Sequence, residues 1–265
     1  MKINVTVRTR DEERNIRTFC ESYKDADKIL VADGGSLDNT VEIAKTYPNV
    51  EVREFTERTE MANGYWRNND SAHANFLFEW AKEENPDWII YDDCDCWPNY
   101  ALKQDFRKIL AETDANVVMA TRIYFWGKDK FFPKLSSPFK GFEPTLWAWR
   151  TGLNVTTIDC PPAYWFAIEG KQIGDFREET KVLDLFPPYC LLHNAWPNEN
   201  ITRIKVNTYR ESGLIEGMLY PPDFGGPTAE CSSIEGCRTA GLPVPFQGSC
   251  IWGYLASLLG GIGPR

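Results

Sequence analysis

The residues best suited to chemistry form the acidic cluster Asp92-Asp93-Cys94-Asp95, which directly follows an apolar run over 88–91. Carboxylates this close together repel one another unless a cation or solvent offsets their charge. A hard divalent cation takes oxygen ligands and bridges protein carboxylates to a diphosphate. An acidic loop in water is the alternative, but the position of the cluster after a buried strand favours a metal site.

A second polar turn, Asp33-Gly34-Gly35-Ser36, follows the apolar run 28–32. Glycine lets a ligand approach the backbone closely, and a carboxylate at a strand end accepts hydrogen bonds from a base or a ribose. A strand-to-helix turn capped by Asp38 explains the same residues structurally. The turn therefore supports a binding site only together with the acidic cluster.

These turns need a common sheet to bring them together. Apolar runs predict strands at 3–7, 28–32, 50–55, 88–91 and 115–120, and helical spacing predicts helices between them. Alternating strands and helices with short connections predict a Rossmann-like α/β fold with a doubly wound, mostly parallel sheet. Ligands bind such sheets outside the carboxyl ends of the strands, where both polar turns fall.

Composition narrows the class of protein. The 265-residue chain has a formal net charge of −9, which argues against nucleic acid as a partner because phosphate backbones need a basic surface. Eight cysteines in so long a chain, with no apolar signal segment after Met1, predict reduced thiols in the cytoplasm, with Cys231 and Cys237 as the one candidate disulfide. No apolar run reaches the roughly 18 residues of a membrane span. The run at 250–262 leaves peripheral contact with a membrane open.

Three segments, 7–16, 29–44 and 87–95, resemble the family 2 glycosyltransferases of the GT-A fold in order and spacing, over residues 1–115. These segments belong to a predicted nucleotide-sugar-binding half at 1–120. The change to aromatic and Pro-rich segments after it predicts a mixed acceptor-binding half at 121–212, and the Gly-, Pro- and Ser-rich composition beyond predicts an extension at 213–265. The resemblance implies a DXD motif at Asp93-Cys94-Asp95, with the first aspartate towards the ribose and the last on the metal. The implied nucleotide-binding residues are Thr9, Arg10, Glu12, Asp33, Gly34, Asp93 and Cys94.

The resemblance also implies a basic residue about 26 positions before the DXD motif, where Arg67 stands; a solvated surface arginine is the alternative. One departure concerns the first motif, because the family's usual Pro-Thr-Tyr-Asn-Glu is replaced by a segment with arginine at positions 8 and 10. An aromatic contact to the nucleoside is thereby replaced by a cation. Cys94 and Cys96 flank Asp95, but they lack the second ligand pair of a structural zinc site.

His193 is the predicted metal ligand from the second half, joining Asp95 and Asp93, because GT-A enzymes often supply a late histidine; a buried structural histidine is the alternative. His73 lies on a predicted helix, where a packing or a surface role is expected. An inverting transfer needs a carboxylate to accept the acceptor's proton. Asp159 and Glu179 are favoured because loops beside aromatic segments suit an acceptor cleft, and the alternatives in the second half are Asp175, Glu178 and Asp184.

The resemblance implies a metal-assisted, inverting transfer of a sugar from a nucleoside-diphosphate donor, with a UDP-sugar favoured and Mn²⁺ or Mg²⁺ as cofactor. The acceptor would be a glycan, a lipid-linked sugar or another hydroxyl compound. A sugar-phosphate nucleotidyltransferase would share the fold and the acidic site, but residues 8–13 lack the glycine-rich phosphate loop of that class. A non-catalytic nucleotide-sugar or carbohydrate-binding protein is the third hypothesis.

Overall fold

The computed structural model describes residues 1–60, 66–126, 130–131, 145–160, 163–177, 179–196 and 229–230. Its helices are α1 (Glu13–Ser22), α2 (Thr40–Ala44), α3 (Asp70–Glu83), α4 (Tyr100–Glu112) and α5 (Ile173–Phe176). Its strands are β1 (Ile3–Thr9), β2 (Lys28–Asp33), β3 (Val50–Glu54), β4 (Arg58–Glu60), β5 (Trp66–Asn68), β6 (Trp88–Tyr91), β7 (Cys96–Pro98), β8 (Val117–Trp126), β9 (Lys130–Phe131), β10 (Thr145–Arg150), β11 (Val155–Cys160), β12 (Ala163–Ile168), β13 (Lys171–Gln172), β14 (Val182–Trp196) and β15 (Ala229–Glu230). Apart from β15, the predicted extension at 213–265, with the candidate disulfide pair Cys231 and Cys237, lies outside the described residues.

The main sheet has the strand order β15-β9-β8-β10-β6-β1-β2-β3, and β14 pairs with both β8 and β7. Strands β6, β1, β2 and β3 run parallel, whereas β10 is antiparallel to β6 and β8. Strand β14 is parallel to β8. This confirms the predicted α/β sheet with a mixed second half. The predicted boundary at residue 120 falls inside β8, so the two predicted halves share one sheet.

Both faces of the sheet are covered. Alternate residues of β1, such as Ile3 and Val5, pack with α1, α2 and α4 in one hydrophobic cluster. Leu30 of β2 and Ile89 of β6 face the other way and pack with α3, β11, β12 and α5. Side chains alternate between the faces of a strand, so these apolar runs supply both cores at once.

A β-bulge in β10 changes the direction of one tryptophan. The pairing of β10 with β8 shifts register between Leu146 and Ala148, and Trp147 joins the cluster of α1 and α4 while Trp149 joins that of α3. Bulges re-aim side chains in this way. Trp147 Nε1 then donates a hydrogen bond to the Tyr23 hydroxyl at 3.1 Å. Both tryptophans are core residues.

Helix α3 starts at a fixed point because the Asn69 side chain accepts a hydrogen bond from the Ala72 backbone amide at 3.0 Å. His73 in its first turn is buried, its Nε2 lies 2.9 Å from the Ala32 carbonyl oxygen, and its ring stacks on Phe55. Burial, followed by the charge of Arg8, lowers the pKa of His73 to about 4. The predicted packing role of His73 is confirmed.

Within the described part of the chain, no helix is long and apolar enough to cross a bilayer.

Candidate active site

The carboxyl ends of β1, β2 and β6 meet at one edge of the sheet. Thr9 pairs with Asp33 across the first two strands, and the Asp92 amide donates to the Thr6 carbonyl oxygen at 3.3 Å beyond the end of β6. The two polar turns predicted to bind ligands therefore lie at the same edge, as the parallel sheet requires.

The turn after β2 surrounds the Asp33 carboxylate with neutral donors. Its Oδ1 accepts from the hydroxyls of Thr9 at 2.9 Å and Ser36 at 2.5 Å, and its Oδ2 accepts from the amides of Gly35 at 3.0 Å and Ser36 at 2.8 Å. A carboxylate offers about four lone-pair directions. These four donors occupy all of those directions, so in this structure Asp33 shapes the turn. The next residue, Gly34, donates its amide to the Thr9 carbonyl oxygen at 2.8 Å.

The turns after β1 and β2 also bind each other. The Asp11 amide donates to Ser36 Oγ at 2.9 Å, and Asp11 Oδ1 accepts from the Leu37 amide at 2.7 Å. Next to Asp11, the Arg10 side chain is exposed, and Glu12 is half-buried. The two predicted nucleotide-binding segments thus form one surface at the edge of the sheet.

Asp38 links the two helices that follow these turns. Its Oδ2 accepts from the Glu13 amide at 3.0 Å, at the start of α1, and its Oδ1 accepts from the Thr40 amide at 3.0 Å, at the start of α2. The Glu13 carboxylate in turn accepts from the Asn39 side-chain amide at 3.0 Å. Asp38 therefore accepts from the first amide of each helix, although the N-cap position of α2 is Asn39 and not Asp38 as predicted.

In the acidic loop after β6, Asp92 points into the core. It is fully buried, its Oδ2 accepts from the Tyr23 hydroxyl at 2.9 Å, and its Oδ1 lies 3.4 Å from Arg122. Burial raises the pKa of Asp92 to about 6 against the opposing effect of the Arg122 charge. The Asp92 side chain therefore holds the loop against the core and does not face a ligand.

Asp93 is enclosed by two arginines. Its Oδ1 accepts from the Tyr91 hydroxyl at 3.0 Å and lies 3.6 Å from Arg8, and its Oδ2 lies 3.3 Å from Arg122. Burial raises the pKa of Asp93, but the charges of Arg122 and then Arg8 outweigh that effect, so this pKa lies below its ordinary value. Asp93 therefore stays ionised, and guanidinium groups balance its charge.

Asp95 meets His193, as the sequence predicted. The His193 Nε2 lies 3.2 Å from Asp95 Oδ1, because the antiparallel pairing of β14 with β7 sets His193 opposite Cys96. The Asn194 amide also donates to the Asp95 carbonyl oxygen at 2.7 Å. A carboxylate oxygen and an imidazole nitrogen, brought together from distant parts of the chain, form a pair suited to a divalent cation.

The neighbouring thiols do not extend this pair. Cys94 and Cys96 are buried, and burial raises the pKa of each well above its ordinary value. Across the described residues, no group of three or more His, Cys, Asp or Glu side chains is arranged to hold a metal. Asp95 and His193 therefore form a pair without a third such side chain among the described residues, and their role as metal ligands stays a prediction.

Arg8 and Arg122, which contact the acidic loop, were absent from the predicted site. Arg122 follows the strand predicted at 115–120, and a basic residue at that strand end indicates a partner for the acidic cluster at the same edge. Arg8 appears in the sequence only as a departure from the family motif. Neither contact is visible locally, because Arg8 and Asp93 are far apart in the chain, as are Arg122 and Asp92.

The two predicted general bases lie in different places. Asp159 lies in β11 and pairs with position 164 of β12; two residues earlier, Thr157 hydrogen-bonds to Ser71 in the first turn of α3, at 3.0 Å, beside the helix residue that contacts Arg8. Glu179 is exposed and pairs with Lys171, just before the amino end of β14. The structure therefore does not bring Glu179 to the edge that holds Asp95.

Arg67 lies in β5, opposite Thr59 of β4. Its side chain lies outside the described residues, so its predicted contact with the base or diphosphate stays a prediction. The hairpin β4–β5 nevertheless ends directly before α3, whose first residue contacts Arg8.

Comparisons with known proteins identify the family and the fold of the chain. The model of the family "Glycosyl transferase family 2" matches residues 5–190. A comparison with curated proteins gives no significant match.

Among solved structures, residues 1–349 of TarS from S. aureus, in complex with UDP-GlcNAc, share 16% identity over 76% of this chain and 60% of that one, with a TM-score of 0.52. A longer TarS structure gives 16% identity, 82% and 41% coverage and a TM-score of 0.50. The chain thus spans less than two thirds of these proteins. Glucosyl-3-phosphoglycerate synthase from Mycobacterium tuberculosis, in complex with Mn²⁺, UDP and glucosyl-3-phosphoglycerate, gives a TM-score of 0.49 at 15% identity, over 82% and 81% of the two chains. The TarS likeness confirms the GT-A fold predicted from the sequence.

Proposed function

Because the family model matches most of its length, the chain belongs to glycosyl transferase family 2, and we propose that it transfers a sugar from a nucleoside diphosphate to an acceptor hydroxyl. The observation that carries the proposal is the contact between Asp95 and His193, 3.2 Å apart at the edge where β1, β2 and β6 end. A UDP-sugar is the favoured donor, and the complex of TarS with UDP-GlcNAc supports that choice.

We assign the divalent cation, Mn²⁺ or Mg²⁺, to Asp95 and His193. Their oxygen and nitrogen atoms fit such an ion, and the diphosphate would provide further oxygen ligands. When bound, the cation would neutralise the charge that develops on the leaving diphosphate. Asp93 is assigned to the ribose side, because Tyr91, Arg8 and Arg122 already contact its oxygens.

The nucleoside is assigned to the surface formed by the turns after β1 and β2. Thr9 and Asp33 hold the second turn in shape, which leaves the backbone near Gly34, with the side chains of Arg10 and Glu12, to contact the base and ribose. Glycine suits this place because it lets a ligand approach the backbone. Arg67, on the hairpin before α3, is assigned to the diphosphate.

For an inverting transfer we retain Asp159 as the general base. Its strand packs on the first turn of α3 through Thr157 and Ser71, and that turn contacts Arg8 beside the acidic loop. Glu179 lies towards the opposite end of the sheet, paired with Lys171, and is not part of the proposal.

The acceptor is a hydroxyl compound such as a glycan or a lipid-linked sugar, and the cytoplasmic location stays a prediction.

The test is calorimetric titration with UDP, GDP, CDP and dTDP, each with and without Mn²⁺. We expect UDP to bind in a Mn²⁺-dependent manner, and Asp95→Asn and His193→Ala to weaken Mn²⁺ and UDP binding together. Asp95→Asn should also abolish sugar release from the donor, because it removes a charge that faces the metal. Asp114→Asn is a matched control, since Asp114 is an exposed aspartate paired with Lys181 near the amino end of the sheet. UDP affinity that is equal with Mn²⁺ and with EDTA contradicts the metal assignment.

A further inference from the structure

Arg8 joins three separate elements at the edge of the sheet. It is the penultimate residue of β1, and its side chain is only 16% exposed. Its Nε donates to the Tyr91 hydroxyl at 2.9 Å, its Nη1 donates to Asp70 Oδ1 at 2.9 Å, and its Nη2 lies 3.6 Å from Asp93 Oδ1. One guanidinium therefore contacts the end of β6, the acidic loop and the first residue of α3.

We propose that Arg8 is a positioning residue for donor binding, which fixes Asp93 relative to the first turn of α3 and to the β4–β5 hairpin carrying Arg67. The inference rests on the proposed function, because it concerns the same donor. It goes further in assigning a role to a residue that stands where the family motif has proline.

The geometry around Asp93 supports this role. Arg8 and the Tyr91 hydroxyl both bind Asp93 Oδ1, and the Tyr91 hydroxyl itself accepts from Arg8 Nε. Arg122 holds the other oxygen of Asp93. With both oxygens held, the carboxylate has a fixed orientation before any donor arrives. Preorganised groups of this kind bind with a smaller loss of conformational freedom.

The contact between Arg8 and Asp70 fixes the start of α3 as well. Asp70 follows the helix cap Asn69 and comes three residues after Arg67. Arg8 Nη1 also donates to the Asp70 carbonyl oxygen at 3.2 Å, so both the side chain and the backbone of this turn are tied to β1. The segment that leads from Arg67 into the helix therefore ends at a point fixed by Arg8.

The planar guanidinium is required for this bridge. It presents several N–H donors in a rigid fork, whereas lysine presents one compact charge on a flexible stem. A lysine at position 8 would keep the positive charge between Asp70 and Asp93, but it cannot contact Tyr91, Asp70 and Asp93 in fixed directions. Arg8→Lys therefore tests whether a positive charge alone is sufficient or whether the directed hydrogen bonds of the guanidinium are required.

The experiment measures UDP affinity in the presence of Mn²⁺, together with the melting temperature, for wild type, Arg8→Lys, Arg8→Gln and Asp70→Asn. Arg107→Lys is the matched control, because Arg107 also binds a carboxylate and two carbonyl oxygens, at the opposite end of the sheet. We expect both Arg8 variants to bind UDP about tenfold or more weakly, the loss typical of one charged hydrogen bond. Arg107→Lys should bind UDP as wild type does.

A double-mutant cycle distinguishes positioning from general stabilisation. Asp70→Asn should weaken UDP binding in the wild-type background and leave it unchanged in the Arg8→Gln background, because its effect passes through Arg8. Wild-type affinity in Arg8→Lys overturns the proposal, since charge alone would then suffice. Lower melting temperatures with unchanged affinity in both Arg8 variants also overturn it. Failure of wild type to bind any of the four nucleoside diphosphates refutes the proposed function, and this inference with it.

Discussion

The turns after β2 and β6 both place aspartates at the same edge of the sheet, but they stabilise them by different means. Asp33 accepts hydrogen bonds from neutral donors, of which only Thr9 lies outside its own turn. Asp92 and Asp93 depend on Arg122, and Asp93 also on Arg8, which are distant in the sequence. A turn held by its own backbone keeps its shape locally, whereas a loop held by distant guanidinium groups depends on the whole sheet.

Among the substitutions that test this comparison, Arg122→Met is expected to cause the largest loss of folding stability. It leaves the fully buried Asp92 without its ion-pair partner, and breaking a buried pair from one side costs about 3–5 kcal/mol. The measurement is urea unfolding followed by tryptophan fluorescence. Arg177→Met is the control, because the Arg177–Asp184 pair is about a quarter exposed and its loss should cost only about 1 kcal/mol. Equal losses in the two variants would show that the β6 loop does not depend on Arg122.

The second effect is a pH dependence of folding stability, which arises from Asp92 in the loop after β6. Since burial raises the pKa of Asp92 from 3.8 to about 6, the folded protein holds this proton more tightly than the unfolded chain. Ionising Asp92 therefore lowers stability as the pH rises from below 4 to above 6, by about 3 kcal/mol in all, of which about 2 kcal/mol is lost between pH 4 and 6. Asp92→Asn should remove this loss.

The measurement is the free energy of unfolding of wild type and Asp92→Asn at several pH values from 4 to 7. We expect the variant to gain stability relative to wild type as the pH rises to 6, with little further change up to pH 7. A difference between the two proteins that is constant over the whole range contradicts the prediction.

The third and smallest effect concerns the β2 turn. Asp33→Ala removes the acceptor of four hydrogen bonds, and because the donors Gly35 and Ser36 are partly exposed whereas Thr9 is buried, we expect a loss of about 2 kcal/mol in stability. Nucleotide binding should weaken by about 1.5–3 kcal/mol, because the turn loses its shape. Ser36→Ala removes one hydroxyl donor and should cost about 1 kcal/mol. If Asp33→Ala is as stable as wild type, neutral donors do not hold this turn.

The same contrast explains what could be predicted from the sequence. The turn at 33–36 and the strand before it follow from residues within a few positions of one another. The pairing of Asp95 with His193 was predicted through the family resemblance. The roles of Arg8 and Arg122 were missed, because they depend on which strands become neighbours. The position of Glu179 was missed for the same reason: only the parallel pairing of β14 with β8 shows at which end of the sheet it lies.

The position of β10 also could not be predicted. It comes after β8 in the chain but lies between β6 and β8 in the sheet, and its bulge turns Trp147 towards Tyr23, which holds Asp92. The apolar run of β10 predicts a strand. Nothing in its periodicity indicates the register shift that connects it to the acidic loop.

The sharing of Asp38 by two helices has a consequence for how the molecule opens. Because one carboxylate receives the first amides of both α1 and α2, and Asp11 exchanges hydrogen bonds with the second turn, neither turn can unfold without releasing the other. Protein segments that open together share one opening free energy, which sets how strongly their amides are protected from hydrogen exchange. The amides of residues 11–13 and 36–40 therefore belong to one cooperative unit in hydrogen exchange, although β2 and most of α1 separate them in the chain.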